Sequence, residues 1–156
     1  MKRRDLVLAL AGVYAAPLAR AQQRKGRPRI AVMTAPPLPN ALVEAFRRGM
    51  RELGYREGQN VEFDFRSAAG RPERFPSLAA EVVKTGPDVI VSGGGTPSAR
   101  AAMRATKSIP IVFPASGDPV GEGLVQSLSR PGGNVTGFSI LSPEVSGKRV
   151  QLRTRC

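Results

Sequence analysis

From Arg29 onward, short β-branched runs alternate with longer stretches whose apolar residues recur at helical spacing, and the junctions carry Pro, Gly, Asn or Asp. Such alternation restricts the chain to βαβ units, because a strand returns parallel to its neighbour only over a crossover, and the crossovers here have a helical period. The expected fold class is α/β, an open parallel sheet with helices on both faces. Arg29 to Met33 reads as a first strand, and Pro39-Asn40 starts a helix through Leu53 with Leu42, Val43, Phe46, Met50 and Leu53 on one face. Gly54 stands where a helix stops. Val61 to Arg66 alternates Val61, Phe63 and Phe65 with Glu62, Asp64 and Arg66, the pattern of a strand with one wetter face near a sheet edge.

A second helix is expected from Pro72 to Thr85, with Phe75, Leu78, Ala79, Val82 and Val83 inward, before Gly86-Pro87 ends it. Asp88 to Ser92 then reads as a third strand buried on both faces. Gly93-Gly94-Gly95-Thr96-Pro97 turns the chain into a helix over Ser98 to Thr106, with Thr96 as its N-cap and Pro97 at the first helical position. Ile109 to Ala115 is a fourth strand. Ser116-Gly117-Asp118-Pro119 repeats the logic, with Asp118 capping a helix from Val120 to Ser129; Arg130 to Asn134 is a turn, and Val135 to Ile140 a fifth strand.

In an open parallel sheet, ligands bind beyond the carboxyl ends of the strands, where helices begin and unpaired N–H groups point outward. The two capped junctions fall there. Glycines 93 to 95 let backbone approach a ligand closely, and a helix starting at Thr96 favours an anion such as a carboxylate. The same two residues, Thr96 and Asp118, also serve as plain helix caps without any ligand.

Other chemistries fail on the residues. Gly93 to Ser98 lacks the Gly-Lys-Ser/Thr ending of a phosphate-binding loop, no Gly-x-Gly-x-x-Gly follows the first strand, and no Gly-x-Ser-x-Gly elbow is present. The chain has no His and one Cys, Cys156, so His-based proton shuttling, Cys/His zinc sites and intrachain disulfides are excluded. A Ser nucleophile would need a Lys base, and Ser108 beside Lys107 has no oxyanion device. No enzyme, metal or cofactor is expected.

The 156 residues fit one domain, and a 41% apolar share suffices for a core. The formal charge of +12 invites a nucleic-acid reading, yet most of it lies at the ends. Ile30 to Gly147 holds twelve basic and eleven acidic residues, mostly interleaved as in Glu44-x-x-Arg47-Arg48-x-x-Arg51-Glu52, which reads as a solvated helix face. Nucleic acid is not an expected partner. Met1 to Ala21 opens with Lys2-Arg3-Arg4, runs through apolar Leu6 to Leu18 and ends Ala19-Arg20-Ala21, an export signal cleaved after Ala21. Its apolar run is shorter than the roughly 20 residues of a membrane span. Arg3-Arg4 leaves both the twin-arginine and the general secretory route open. The expected division is an export signal at 1–21, a basic linker at 22–28, an α/β lobe at 29–140 and a further helix start at 141–156; the expected location is the periplasm.

With these residues read, the sequence resembles the substrate-binding proteins of ABC transporters of the tryptophan/tyrosine-binding type, which have the type I periplasmic binding protein fold. The matching stretches are Phe46-Arg47-Arg48-Gly49-Met50-Arg51-Glu52-Leu53-Gly54-Tyr55 with Glu57-Gly58-Gln59-Asn60-Val61, then Gly94-Gly95-Thr96-Pro97, Ile109-Pro110-Ile111-Val112-Phe113, Gly117-Asp118-Pro119-Val120, and Arg130-Pro131-Gly132-Gly133-Asn134-Val135-Thr136-Gly137. The resemblance implies an exported protein whose two lobes close on a small solute and deliver it to a membrane permease. The solute implied is an amino acid, aromatic ones included. By resemblance the first lobe contributes Thr34 and Ala35, Gly95 and Thr96, and Ser116 and Asp118. Thr96 at its helix N-terminus suits an α-carboxylate and Asp118 an α-ammonium, while the residues leave open which group binds where.

Family members run to about twice this length, as two domains of ordinary size require. Lys148-Arg149-Val150-Gln151-Leu152 resembles the start of the helix that crosses to the second lobe, whereas Arg153-Thr154-Arg155-Cys156 does not resemble its continuation. The expectation is a chain truncated after its first lobe, with weak ligand binding. The competing reading is an exported flavodoxin-like sensory or interaction domain without catalytic activity, whose phosphoacceptor carboxylates at strand ends are absent from the sequence.

Overall fold

In a computed structural model the chain is described over residues 26–140. The export signal expected at 1–21, the first part of the linker at 22–28 and the helix start expected at 141–156 lie outside the described residues. Five strands, β1 (Arg29–Thr34), β2 (Glu62–Ser67), β3 (Val89–Gly93), β4 (Ile111–Ser116) and β5 (Val135–Ser139), form one sheet in the order β2-β1-β3-β4-β5, every pair parallel. The helices α1 (Ala41–Glu52), α2 (Phe75–Lys84) and α3 (Gly95–Ala105) supply crossovers. The wetter strand β2 is an edge strand, as its alternation implies.

Register assigns the faces. Ala31 and Met33 stand level with Ile90 and Ser92, and this face packs under α2 and α3 in one core with Phe75, Leu78, Ala79, Val82, Ala99 and Ala102. Phe63 and Phe65 stand level with Ile30 and Val32 on the opposite face, where Phe46 of α1 meets both rings edge-on at 5.4 and 6.1 Å. Helices therefore cover both faces. Coverage by α1 is partial: Val91 and Val112 are half-buried, and Phe138 and Ile140 are exposed. Strand β3 is thus fully buried on one face only, against the expectation of two, because α1 lies over β1 and β2. For the same reason Leu42 and Leu53, expected inward, are exposed, and the helix buries Val43 with Phe46 and Met50 half-buried.

Local chemistry sets the ends of α1. Asn40 Oδ1 accepts from the Val43 N–H at 3.1 Å, an N-cap. At the other end, Gly54 (φ +85°) donates to the Arg51 carbonyl and Tyr55 to the Met50 carbonyl, the paired closure of a Schellman motif. The helix expected from Pro72 splits into a 3₁₀ turn (Pro72–Arg74) and α2.

The helix expected over Val120 to Ser129 does not form. Asp118 Oδ1 accepts from Gly121 N–H at 2.8 Å, so its capping bond exists, but the chain makes one turn and leaves. Gly121 and Gly123 disfavour a helix, Gly123 adopts φ +67°, and the Leu124 and Val125 N–H groups both close on the Pro119 carbonyl. Leu124 and Val125 are still buried in the core, so the apolar pattern that suggested a helix is satisfied by an irregular loop.

Candidate functional site

The order β2-β1-β3 places a topological switch between β1 and β3, and the crevice beyond the carboxyl ends there is where an α/β sheet receives ligands. Thr34 ends β1 and stands level with Gly93, which ends β3. Thr34 is 2% exposed and its hydroxyl has no hydrogen-bond partner among the described residues. It lines an apolar groove of about 160 Å³ with Val32, Leu42, Phe46, Val91 and Pro114. Ala35 is half-buried, its carbonyl accepting from Gly70 N–H at 2.8 Å.

Helix α3 begins at Gly95, with Gly94 as its N-cap and no side-chain cap. Thr96 is therefore inside the first turn and is not the N-cap expected of it; the helix starts two residues early, at Gly95, which takes φ +71°. Freed from capping, the Thr96 hydroxyl donates to Glu122 Oε2 at 2.5 Å. The buried Ser116 hydroxyl donates to the same oxygen at 2.8 Å. Arg100, one turn further along α3, donates to the Glu122 carbonyl at 2.9 Å.

Of the expected site residues, the structure joins Thr96 and Ser116 through Glu122, sets Thr34 and Ala35 at the end of β1, exposes Gly95 and Asp118, and commits Asp118 Oδ1 to a turn. Glu122 itself is absent from the sequence reading. Its only signal is its place four residues after Asp118, inside a stretch whose expected helix hid that it folds back onto α3. The Glu122 carboxyl is held below the usual carboxylate range, first by the Thr96 hydrogen bond, then by that of Ser116, with the Arg100 charge adding and the Asp118 charge opposing.

Two larger hollows, of about 410 and 260 Å³, lie elsewhere. They are lined by Arg47, Arg51, Arg56 and Phe63, and by Arg29, Glu57 and Glu62, at the amino end of β1 and β2, opposite the crevice. Among the described residues no group of three or more Asp, Glu, Cys or His stands together to hold a metal, and no helix is long and apolar enough to cross a membrane.

Residues 29–155 match the family of ABC transporter substrate binding proteins. The chain belongs to that family. A tyrosine-binding protein of Clostridioides difficile (strain R20291) is 43% identical to this substrate-binding family member over 96 residues, which is 62% of this chain and 28% of the relative. A conserved domain protein from Vibrio cholerae is similar in structure with a TM-score of 0.68 at 42% identity, covering 81% of this chain and 43% of that one. The ABC domain in complex with L-Trp from Streptococcus pneumonia gives 0.65 at 34% identity, over 73% and 39%. A ligand-free, open substrate binding protein with adhesive properties from Clostridium difficile gives 0.69 at 33%, over 79% and 42%. The chain thus spans less than half the length of each of these proteins.

Proposed function

We propose that this chain is the first lobe of a substrate-binding component of an ABC importer, exported to the periplasm by residues 1–21, and that it takes an aromatic amino acid at the carboxyl ends of β1, β3 and β4. The observation that carries the reading is the hydrogen-bonded cluster of Thr96, Ser116 and Glu122 at the carboxyl ends of β3 and β4, with Thr34 beside an apolar groove at the carboxyl end of β1. The binding of tyrosine by one relative and of L-Trp by another favours an amino acid. Delivery to a membrane permease follows from the family, and binding without chemical change accords with a chain that lacks His and any nucleophile motif. Residues Thr34, Ala35, Gly95, Thr96, Ser116 and Asp118 are assigned to ligand contact, with Glu122 added.

Thermal unfolding of the chain against a panel of L-amino acids tests the proposal. A ligand that binds only the folded state raises the midpoint. Tyrosine and tryptophan are expected to raise it and lysine and glutamate to leave it unchanged. A rise shared by all four would contradict the assigned ligand class.

A further inference from the structure

The anion favoured at the amino end of α3 is already part of the chain. Glu122 reaches back from the loop after β4 and places its carboxylate against the first turn of the helix, where the backbone dipole and free N–H groups prefer negative charge. Thr96 and Ser116 both spend their protons on Oε2. A hydroxyl has one proton and two lone pairs, so towards a ligand these two groups present acceptors only. Oε1 of Glu122 accepts no hydrogen bond among the described residues.

We infer that Glu122 makes this cluster an ammonium-binding one, so that a ligand amino acid turns its α-ammonium, and not its α-carboxylate, towards Thr96, Ser116 and Glu122. The inference rests on the reading of the chain as an amino-acid binder. An arriving carboxylate would meet a like charge, a second one on Asp118, and no uncommitted hydroxyl proton. An ammonium has three donors and finds the open Oε1 together with the hydroxyl lone pairs, in charge-assisted bonds. The Arg100 guanidinium is a partial counter-charge, bonded to the Glu122 carbonyl and adding its charge to the surroundings of the carboxylate.

Thr34 provides the independent observation. Its hydroxyl, nearly wholly buried and without a partner among the described residues, lines the groove at the end of β1, to which Thr96, Ser116 and Glu122 do not contribute. A buried hydroxyl without a partner is costly unless something accepts its proton. With the ammonium at the Glu122 cluster, the ligand's carboxylate is left to accept that proton, so the bound molecule is oriented with its carboxylate towards β1 and its ammonium towards β4.

Calorimetric titration of the chain and of Glu122→Gln with L-tryptophan, tryptamine and indole-3-propionate tests this. Gln keeps an oxygen for both hydroxyls and removes the charge. The chain is expected to bind tryptamine more tightly than indole-3-propionate, and Glu122→Gln to lose about tenfold or more on L-tryptophan and tryptamine and nothing on indole-3-propionate. If L-tryptophan binds but the chain prefers indole-3-propionate, or the variant binds tryptamine undiminished, the inference is overturned and the amino-acid reading stands. If neither L-tryptophan nor L-tyrosine binds, both fall. The analogue comparison on the unmutated chain decides the matter by itself should the variant not fold.

Discussion

The Phe75 ring fills the space in which a β-carbon on Gly94 would stand, and such a carbon would also lie 2.9 Å from Ser98 Cβ. The backbone of Gly94 is ordinary at φ −100°, so it is packing of α2 beneath the start of α3 that demands a glycine there. Phe75 is 1% exposed and packed within the core. Gly94→Ala is expected to destabilise the fold by about 1 to 3 kcal/mol through overpacking. Gly95 differs, because its φ of +71° is the constraint and the space around it is open; Gly95→Ala is expected to cost about 1 to 2 kcal/mol through backbone strain alone. Urea unfolding measures both, and a Gly94→Ala loss below about 0.5 kcal/mol would contradict the packing account.

The N-cap of α1 is a second point of control. Asn40→Ala removes both the bond from the Val43 N–H and the Nδ2 bond to the Pro37 carbonyl and is expected to lower stability by about 1 kcal/mol or more, with Asn40→Asp between it and the parent because Asp retains the acceptor and loses the donor. Equal unfolding midpoints for the Ala and Asp variants would show that the cap contributes nothing.

Acid should act on the Glu122 cluster. Its folded-state pKa lies below its unfolded one, so its contribution to stability is complete above the unfolded value of about 4.3 and is lost as pH falls through the folded value. The difference in thermal midpoint between the parent chain and Glu122→Gln is therefore expected to be constant near neutral pH and to shrink below about pH 4.3. A difference that grows towards acid pH would reverse the sign and contradict the hydrogen-bonding scheme.

Much of the fold was legible because it rests on period and punctuation. The β-branched run at Val89 to Val91, the Asn40 cap, the Gly54 stop and the alternation that marks β2 as an edge all depend on residues within a few positions of one another. What escaped depends on contacts distant in sequence. Whether Val91 is covered is decided by where α1 lies, and the loss of a helix after Asp118 is decided by Gly121 and Gly123 against the pull of Leu124 and Val125 into the core. Glu122 meets Thr96 across 26 residues, a pairing that no spacing rule anticipates. At the loop ends, Thr96 serves as a hydroxyl tied to a carboxylate and not as the cap its place before Pro97 suggested.

The most direct measurement is fluorescence titration of L-tryptophan with the chain, which has no Trp of its own, so emission excited at the indole edge reports the ligand alone. The account predicts saturable binding and competition by L-tyrosine. A signal that rises linearly with protein without saturation, or one that excess L-tyrosine does not reverse, would contradict the claim that the carboxyl edge of this sheet holds an aromatic amino acid.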